Sequence, residues 1–418
     1  VQGPTLKVSL SDAIKLANEH STTIHLAKND LAAAKARLGQ RNARSLPNLG
    51  LAGSATRFDD ATNVNFGGNS LELLPDHQEQ LSLTLTQDLN ISGYVGATIA
   101  QSKLLYLSAG YAVDAATQDQ DLSTTTAFYA VRRAEQAVEV AKASLEDYRQ
   151  QLATTTKLFQ GGIGQKIDVY RAQSQVADSE RELTRRRNDL SSANSVMNDL
   201  LGRPLDDPLE LVEPTDVSPE IENPVPDDHS KLIAKALDRR SEALAAHLQV
   251  AAAEKGIKIA QAANGANASL SLGGTHYPTT SFSSPRENVG ALTVMVSVPI
   301  FDGGLGREQV NEARSVVRSA KEQETQTRRA IALQVQKADL DVETARKSLD
   351  AAKVALKAAD AARKLAQERY EAQVALYLEV TDAQAALTAA QAALVDATYD
   401  LITARARLSR ALSEPITH

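Results

Sequence analysis

Two hydrophobic patterns divide this chain. Over most of it, apolar residues recur every seven positions. Val131, Val138, Leu145, Leu152 and Phe159 form one series, and Val169, Val176, Leu183, Leu190 and Met197 a second. Val380, Leu387, Leu394, Leu401 and Leu408 form a third. A fourth series, Val342, Leu349, Leu356 and Tyr370, is interrupted by Arg363, whose stem can line the seam while its charge stays in water. A 3.5-residue repeat keeps one stripe facing a partner helix and winds the pair left-handed, so coiled-coil packing is expected rather than an ordinary core stripe. Elsewhere the period falls to two. Leu81, Leu83 and Leu85 alternate with Ser82, Thr84 and Thr86, and Leu292, Val294, Val296 and Val298 with Thr293, Met295 and Ser297. Strands are predicted at Leu49–Arg57, Leu81–Ile91, Asn267–Thr275 and Ala291–Ile300.

Proline marks the helix limits. None of the 13 Pro falls within 76–203 or 300–414. A helix-interior Pro costs about 3 kcal/mol, so these spans permit very long helices. The pattern predicts short helices at 11–44 and 230–263, long ones at 94–159 and 302–370, and intermediate ones at 165–201 and 376–413. A 65-residue helix is about 98 Å long, roughly the length of a short and an intermediate helix end to end. Each half can thus set one long helix against two shorter ones. Gly161, Gly162 and Gly164 make the turn in the first half.

The halves repeat. An offset of 211 carries Phe159 onto Tyr370, Asp168 onto Glu379, and Ala172-Gln173 onto Ala383-Gln384. The first helices need an offset of 219, which carries Ser11 onto Ser230. The eight-residue change has to be absorbed between these blocks, in loop tips that tolerate insertion. The domain division expected is 1–202, a Pro-rich linker at 203–229, and 230–418. Asn63, Asn65, Gly67 and Gly68 in one half, and Ser281, Ser283 and Ser284 in the other, are expected in exposed loops between strands.

Composition narrows the functions. The formal charge of -7 argues against nucleic acid, whose phosphates need a basic face. With no Cys there is no disulfide framework, thiolate site or lipidated Cys in the residues given. The chain opens Val1-Gln2-Gly3-Pro4, which reads as a trimmed start. No apolar run is long enough for a membrane helix. The 7 His show no metal-binding spacing, and neither a P-loop nor a dinucleotide fingerprint appears. No enzyme activity, metal or cofactor is expected. Ten residues of alternation, however, suit a strand of an outer-membrane barrel. Aromatics make up only 4% of the chain, yet Phe58 and Tyr277 lie at the loop side of the predicted strands and Tyr94 and Phe301 at the other. They are candidate membrane-interface aromatics; a soluble hairpin with aromatic caps is the plainer alternative. Four strands cannot close a barrel, so a membrane reading requires several copies.

Taken in order, the motifs resemble the TolC family of outer-membrane efflux proteins. They are Leu10-Ser-Asp-Ala-Ile14, Leu46-Pro-Asn-Leu49, Phe159-Gln-Gly-Gly162 with Asp168-Val-Tyr-Arg-Ala-Gln173, and Val298-Pro-Ile-Phe-Asp-Gly-Gly304. The resemblance covers essentially the whole chain. It implies a mainly α fold with a small β part. Long antiparallel coiled-coil helices would form an α-barrel, and four strands per subunit would enter a trimeric 12-stranded transmembrane β-barrel. It implies a homotrimer in the outer membrane of a Gram-negative-type bacterium, in contact with lipid. A periplasmic adaptor and an inner-membrane pump would complete a tripartite pump for small molecules. A protein-secretion outlet uses the same duct, and a soluble coiled-coil scaffold is the alternative of a different class.

By position in the resemblance, Glu379 and Asp382 match the acidic pair that narrows the periplasmic aperture. The plain alternative is two solvated acids favoured near a helix N-terminus. Gly161, Gly162, Gly164, Asp168 and Arg171 are candidates for the tip that contacts the adaptor or gates the mouth, with turn geometry as the simpler role of the glycines. Arg171 is a candidate to pair with an acid of an adjacent helix and hold the tip closed, with an isolated surface pair of about 0–1 kcal/mol as the plainer reading. The second tip, Tyr370-Glu-Ala-Gln-Val-Ala375, departs from the family in lacking its Gly.

Overall fold

The computed structural model describes residues 6–67, 69–212, 229–278 and 286–415. The expected loop residues Gly68, Ser281, Ser283 and Ser284 lie outside the described residues, as does linker segment 213–228. The first half runs β1 (Leu6–Val8), α1 (Leu10–His20), α2 (Thr22–Ala43), β2 (Asn48–Arg57), β3 (Thr62–Phe66), β4 (Asn69–Leu74), β5 (His77–Leu89), α3 (Tyr94–Gln160), α4 (Lys166–Leu200) and β6 (Leu209–Leu211). The second runs α5 (His229–Arg239), α6 (Ser241–Ala263), β7 (Asn267–His276), β8 (Asn288–Ser297), α7 (Leu305–Glu371) and α8 (Tyr377–Ala411). The bounds of α3 and α7, and of α4 and α8, differ by the 211 positions of the sequence offset. Those of α1 and α5, and of β2 and β7, differ by 219.

Three features depart from the sequence expectation. Each short helix is two helices, broken at Ser21 and at Arg240. Asn63 and Asn65 belong to a strand, because β3 and β4 form an extra antiparallel hairpin between β2 and β5. The second half has no such hairpin among its described residues, and the interval between its paired strands is shorter by the eight residues that separate the two offsets. Leu6–Val8 also pairs in parallel with Leu209–Leu211, so part of the expected linker is strand.

Contacts divide the chain into two compact units, each drawn from both halves. One comprises 29–110 and 245–325 and holds a four-stranded antiparallel sheet in the order β2-β5-β7-β8. Its register sorts the side chains. Leu49 lies opposite Leu85, Leu85 opposite Leu272, and Leu272 opposite Leu292. Leu51 faces Leu83 in the next row, and Leu270 faces Val294. The other face carries Gly50, Thr84, Gly273 and Ala291 in one row and Thr86, Ser271 and Thr293 in the next. One face is thus mainly apolar and the other mainly small and polar, with Met295 and Val289 its exceptions, and the apolar residues are exposed: Leu51 by 69%, Leu292 by 68%.

The motif Asp302-Gly-Gly304 turns the chain from β8 into α7. Gly303 and Gly304 take positive φ, 66° and 93°. The Asp302 carboxylate accepts from the backbone N–H groups of Gly306 at 2.7 Å and Gly304 at 2.8 Å, and these bonds hold it below the usual carboxylate range. In the first half the Asn90 side chain accepts from Val95 N–H at 3.0 Å, at the start of α3.

The other unit comprises 1–28, 111–244 and 326–418. Its seams follow the predicted heptads, except that Phe159 at the end of α3 is 40% exposed. Ile331, Val335, Ala338, Val342, Ala345, Leu349 and Ala352 alternate three and four apart along α7 and are all buried, with Ala397, Leu401, Ala404 and Leu408 of α8 in the same cluster. Val131, Val138 and Leu145 of α3 and Leu183 and Met197 of α4 are buried likewise. Alanine at alternate seam positions lets helices approach closely, which is why a chain so poor in aromatics still packs.

The break at Arg240 is fastened by charge. Glu242 accepts from Arg240 at 2.6 Å and from Arg410 at 2.7 Å. Arg410 also donates to Asp119 at 2.8 Å, and Arg240 to Gln334 at 2.5 Å. Both guanidinium groups are buried, so removing their carboxylate would strand charge. Burial raises the Glu242 carboxyl, but the hydrogen bonds from Arg240 and Arg410 outweigh it and bring it to about 2.

Two consequences are measurable by unfolding in detergent. Leu401, 1% exposed, is worth about 2–5 kcal/mol against Ala; a loss below 1 kcal/mol would contradict the seam. The Glu242 carboxyl sits lower folded than unfolded, so its stabilisation is present above the ordinary carboxylate range, 4.5, and is lost as pH falls towards 2. It amounts to roughly 3 kcal/mol. Glu242→Gln is expected to flatten that part of the stability-pH curve, and an unchanged acid limb would contradict the clamp.

Candidate functional site: the paired helix tips

The α3–α4 and α7–α8 turns lie in the same unit and are built alike. Gly161 N–H donates to Lys157 O at 2.9 Å, Gly162 to Phe159 O at 3.0 Å, and Ile163 to Leu158 O at 3.0 Å. At the second tip Ala372 donates to Glu368 O, Gln373 to Tyr370 O and Val374 to Arg369 O, at 2.9–3.0 Å. Gly162 has φ 77° and Gln373, its equivalent, φ 61°. The second tip therefore makes the same turn without Gly, with Gln373 held left-handed. The tips differ at the next step. A Cβ on Gly164 would come within 2.9 Å of the Phe159 nitrogen, whereas the equivalent Ala375 carries one. The first tip is correspondingly tighter.

Beneath the turns, Ala172, Ala366, Tyr370, Tyr377 and Val380 form one buried cluster. The rings of Tyr370 and Tyr377 meet edge to face at 5.7 Å. Burial, then the neighbouring Tyr370, Tyr148 and Asp168, pushes the Tyr377 hydroxyl up to about 12, and burial raises that of Tyr370. Both phenols are neutral at physiological pH. Arg363, the residue that interrupts the heptad, is explained here: its Nε donates to Gln384 Oε1 at 3.1 Å. Gln384 donates in turn to Asp147 Oδ2 at 2.9 Å, and the Arg363 guanidinium lies 3.7 Å from Asp147. One polar link thus ties α7, α8 and α3 across a seam position.

The sequence-selected residues fall into two groups. Gly161, Gly162, Gly164, Asp168 and Arg171 are at the first tip, and Glu379 and Asp382 at the second. Among the described residues Arg171 pairs with no adjacent helix; it lies 3.7 Å from Asp168 of its own helix, the i,i+3 spacing that brings two side chains onto one helical face. Glu379 lies 3.2 Å from Arg369 across the turn, a partner that heptad and i,i+4 reasoning both pass over. Asp382 is exposed. Phe58, Tyr94, Tyr277 and Phe301 belong to the other unit, at the ends of the sheet. Phe58 N–H donates to Asp76 O and Tyr277 N–H to Glu287 O, both at 2.7 Å, just past β2 and β7. Tyr94 opens α3, and Phe301, 90% exposed, follows β8. Among the described residues no helix is long and apolar enough to cross a membrane, and no cluster of His, Asp and Glu has metal-binding spacing.

The outer membrane efflux protein family model matches residues 13–203 and again 232–414. The chain belongs to this family. It is an outer-membrane efflux channel protein, and its family and fold are those of channels rather than enzymes. The protein CyaE of Bordetella pertussis is 27% identical over 384 residues, 90% of this chain and 78% of that protein. Among solved structures, CusC superposes with a TM-score of 0.84 at 19% identity, covering 99% of this chain and 95% of that one. The outer membrane protein VceC of Vibrio cholerae gives 0.80 at 21% identity, covering 98% and 97%. These likenesses support the fold. Proteins of the family are trimeric channels that work with adaptor proteins and inner-membrane pumps.

The tip turns carry their own test. Gly162→Ala is expected to cost about 1 kcal/mol, and Gln373→Gly to gain about 0.5–1 kcal/mol by relieving a left-handed side-chain residue. Hydrogen exchange of the Ala372–Leu376 amides measures the second. Faster exchange in Gln373→Gly would show that the Gln373 side chain holds the turn.

Proposed function

We propose that three copies of this chain form one duct for small molecules, with the sheet as a third of a shared 12-stranded barrel. The observation that carries this is the two-faced sheet, whose outer strands β2 and β8 have no further strand partner among the described residues. Strands of 10–13 residues match the hydrocarbon depth when tilted. The apolar face meets lipid and the polar face lines water. Phe58 and Tyr277 mark one membrane interface, Tyr94 and Phe301 the other. We read residues 1–202 and 230–418 as two structural repeats joined by 203–229, supported by their matching element bounds and by the two matches of the family model.

The paired tips are the periplasmic mouth. Glu379 and Asp382 border the aperture, and the turn around Gly161, Gly162 and Gly164, with Asp168 and Arg171, meets the periplasmic adaptor. The carboxylates make the mouth cation-attracting. Energy for transport comes from an inner-membrane pump. A soluble scaffold would leave the exposed leucine rows of the sheet without a purpose.

Single-channel recording of detergent-extracted protein in planar bilayers tests this. Discrete conductance that loses cation preference in Asp382→Asn is expected. Protein that washes from membranes without detergent and never conducts would overturn the channel in favour of the scaffold.

A further inference from the structure

The two tips treat their acidic residue differently. At the first, Asp168 is met by Arg171 from its own helix. At the second the position of Arg171 is taken by an acid, Asp382, and the cation comes from the opposite helix. Arg369 Nη1 lies 3.2 Å from Glu379 Oε2. The first tip has no counterpart of Arg369, since the equivalent position holds Leu158.

We propose that Arg369 is a specificity-determining residue of the channel: it neutralises Glu379 across the α7–α8 turn and leaves Asp382 as the uncompensated member of the Glu379–Asp382 pair. This rests on the aperture reading above. Both partners are rooted in the turn itself. The Arg369 carbonyl accepts from Val374 N–H at 2.9 Å, and Glu379 N–H donates to Leu376 O at 3.0 Å in the first turn of α8. The side chains therefore bridge two fixed points. Asp382 has no cationic partner among the described residues.

The bridge is about half exposed, 49% for Arg369 and 43% for Glu379, so it adds little stability. Its consequence is electrostatic. An ion at the mouth feels the summed charge within a Debye length of about 8 Å. Asp168, Arg171, Arg369, Glu379 and Asp382 sum to one negative charge, and Lys157, Lys166, Glu368 and Glu371 beside the same turns cancel among themselves. A trimer then presents three net carboxylates where the acidic residues alone suggest many more. Arg369 sets how strongly the duct favours cations, without lining the sheet or touching the seam.

Reversal potentials of the full-length channel in asymmetric potassium chloride read this directly. Arg369→Gln is expected to raise the potassium-to-chloride permeability ratio about two-fold. Arg369→Lys keeps the charge and the unaltered ratio. The double variant Arg369→Gln/Glu379→Gln also keeps the unaltered ratio, because a compensated pair has been removed whole. Asp382→Asn lowers the ratio towards unity. An unchanged ratio in Arg369→Gln, or a double variant as weak as Asp382→Asn, would overturn the role of Arg369 and leave the aperture standing. A conducting channel whose ratio ignores Asp382→Asn would sink the aperture reading itself.

Discussion

The structure depends on what becomes of the two free edges of its sheet. Strands β2 and β8 each present a row of backbone N–H and C=O groups with no strand partner among the described residues. In water such groups are satisfied by solvent. In hydrocarbon each unsatisfied group costs several kcal/mol, so an open sheet with an apolar face cannot stay open there. In the proposed trimer, closure by further copies would remove both edges at once, β8 of one copy against β2 of the next. It also gives the polar face a use. Ser82, Thr84, Ser271 and Thr293 are small and polar, as suits a barrel wide enough to hold water rather than one filled by side chains.

The helices answer a second requirement. A helix of 67 residues gains little from intrinsic propensity, and its stability comes from the stripe that it buries. The α7 and α8 seams use alanine and aliphatic residues at three-four spacing, so they bind along their whole length without a globular core. Charge then holds what the seam cannot. Arg240, Glu242 and Arg410 fasten the α5–α6 break, and Arg363, Gln384 and Asp147 carry the link where the heptad fails. Each cluster draws on elements far apart in sequence.

That distance decides what could be read beforehand. The long helices and the four sheet strands were legible because the periods of 3.5 and 2 are local and repeated. The bounds of α4 and α8 came within a residue or two. The breaks at Ser21 and Arg240 were not, since neither residue is a Gly or Pro and tertiary packing sets the break. The β1–β6 pair joins two three-residue strands some 200 positions apart, too short for any periodic signal. Asn63 and Asn65 read as turn residues, yet pairing with β4 overrides that preference. At the tips, the turn residues and acids were visible. The conformation of Gln373 and the partnership of Arg369 with Glu379 were not, because both follow from how the chain reverses rather than from helical spacing.

The most direct measurement is disulfide trapping across the sheet edges. The chain has no Cys, so a pair placed at Ala52 of β2 and at Ala291, Thr293 or Met295 of β8 has no competing thiol. In membranes, oxidation of at least one pair is expected to yield covalent dimers and trimers and nothing larger, reversed by reductant. Monomer alone under all pairings, or a ladder that continues past three, would contradict a closed barrel shared by three copies.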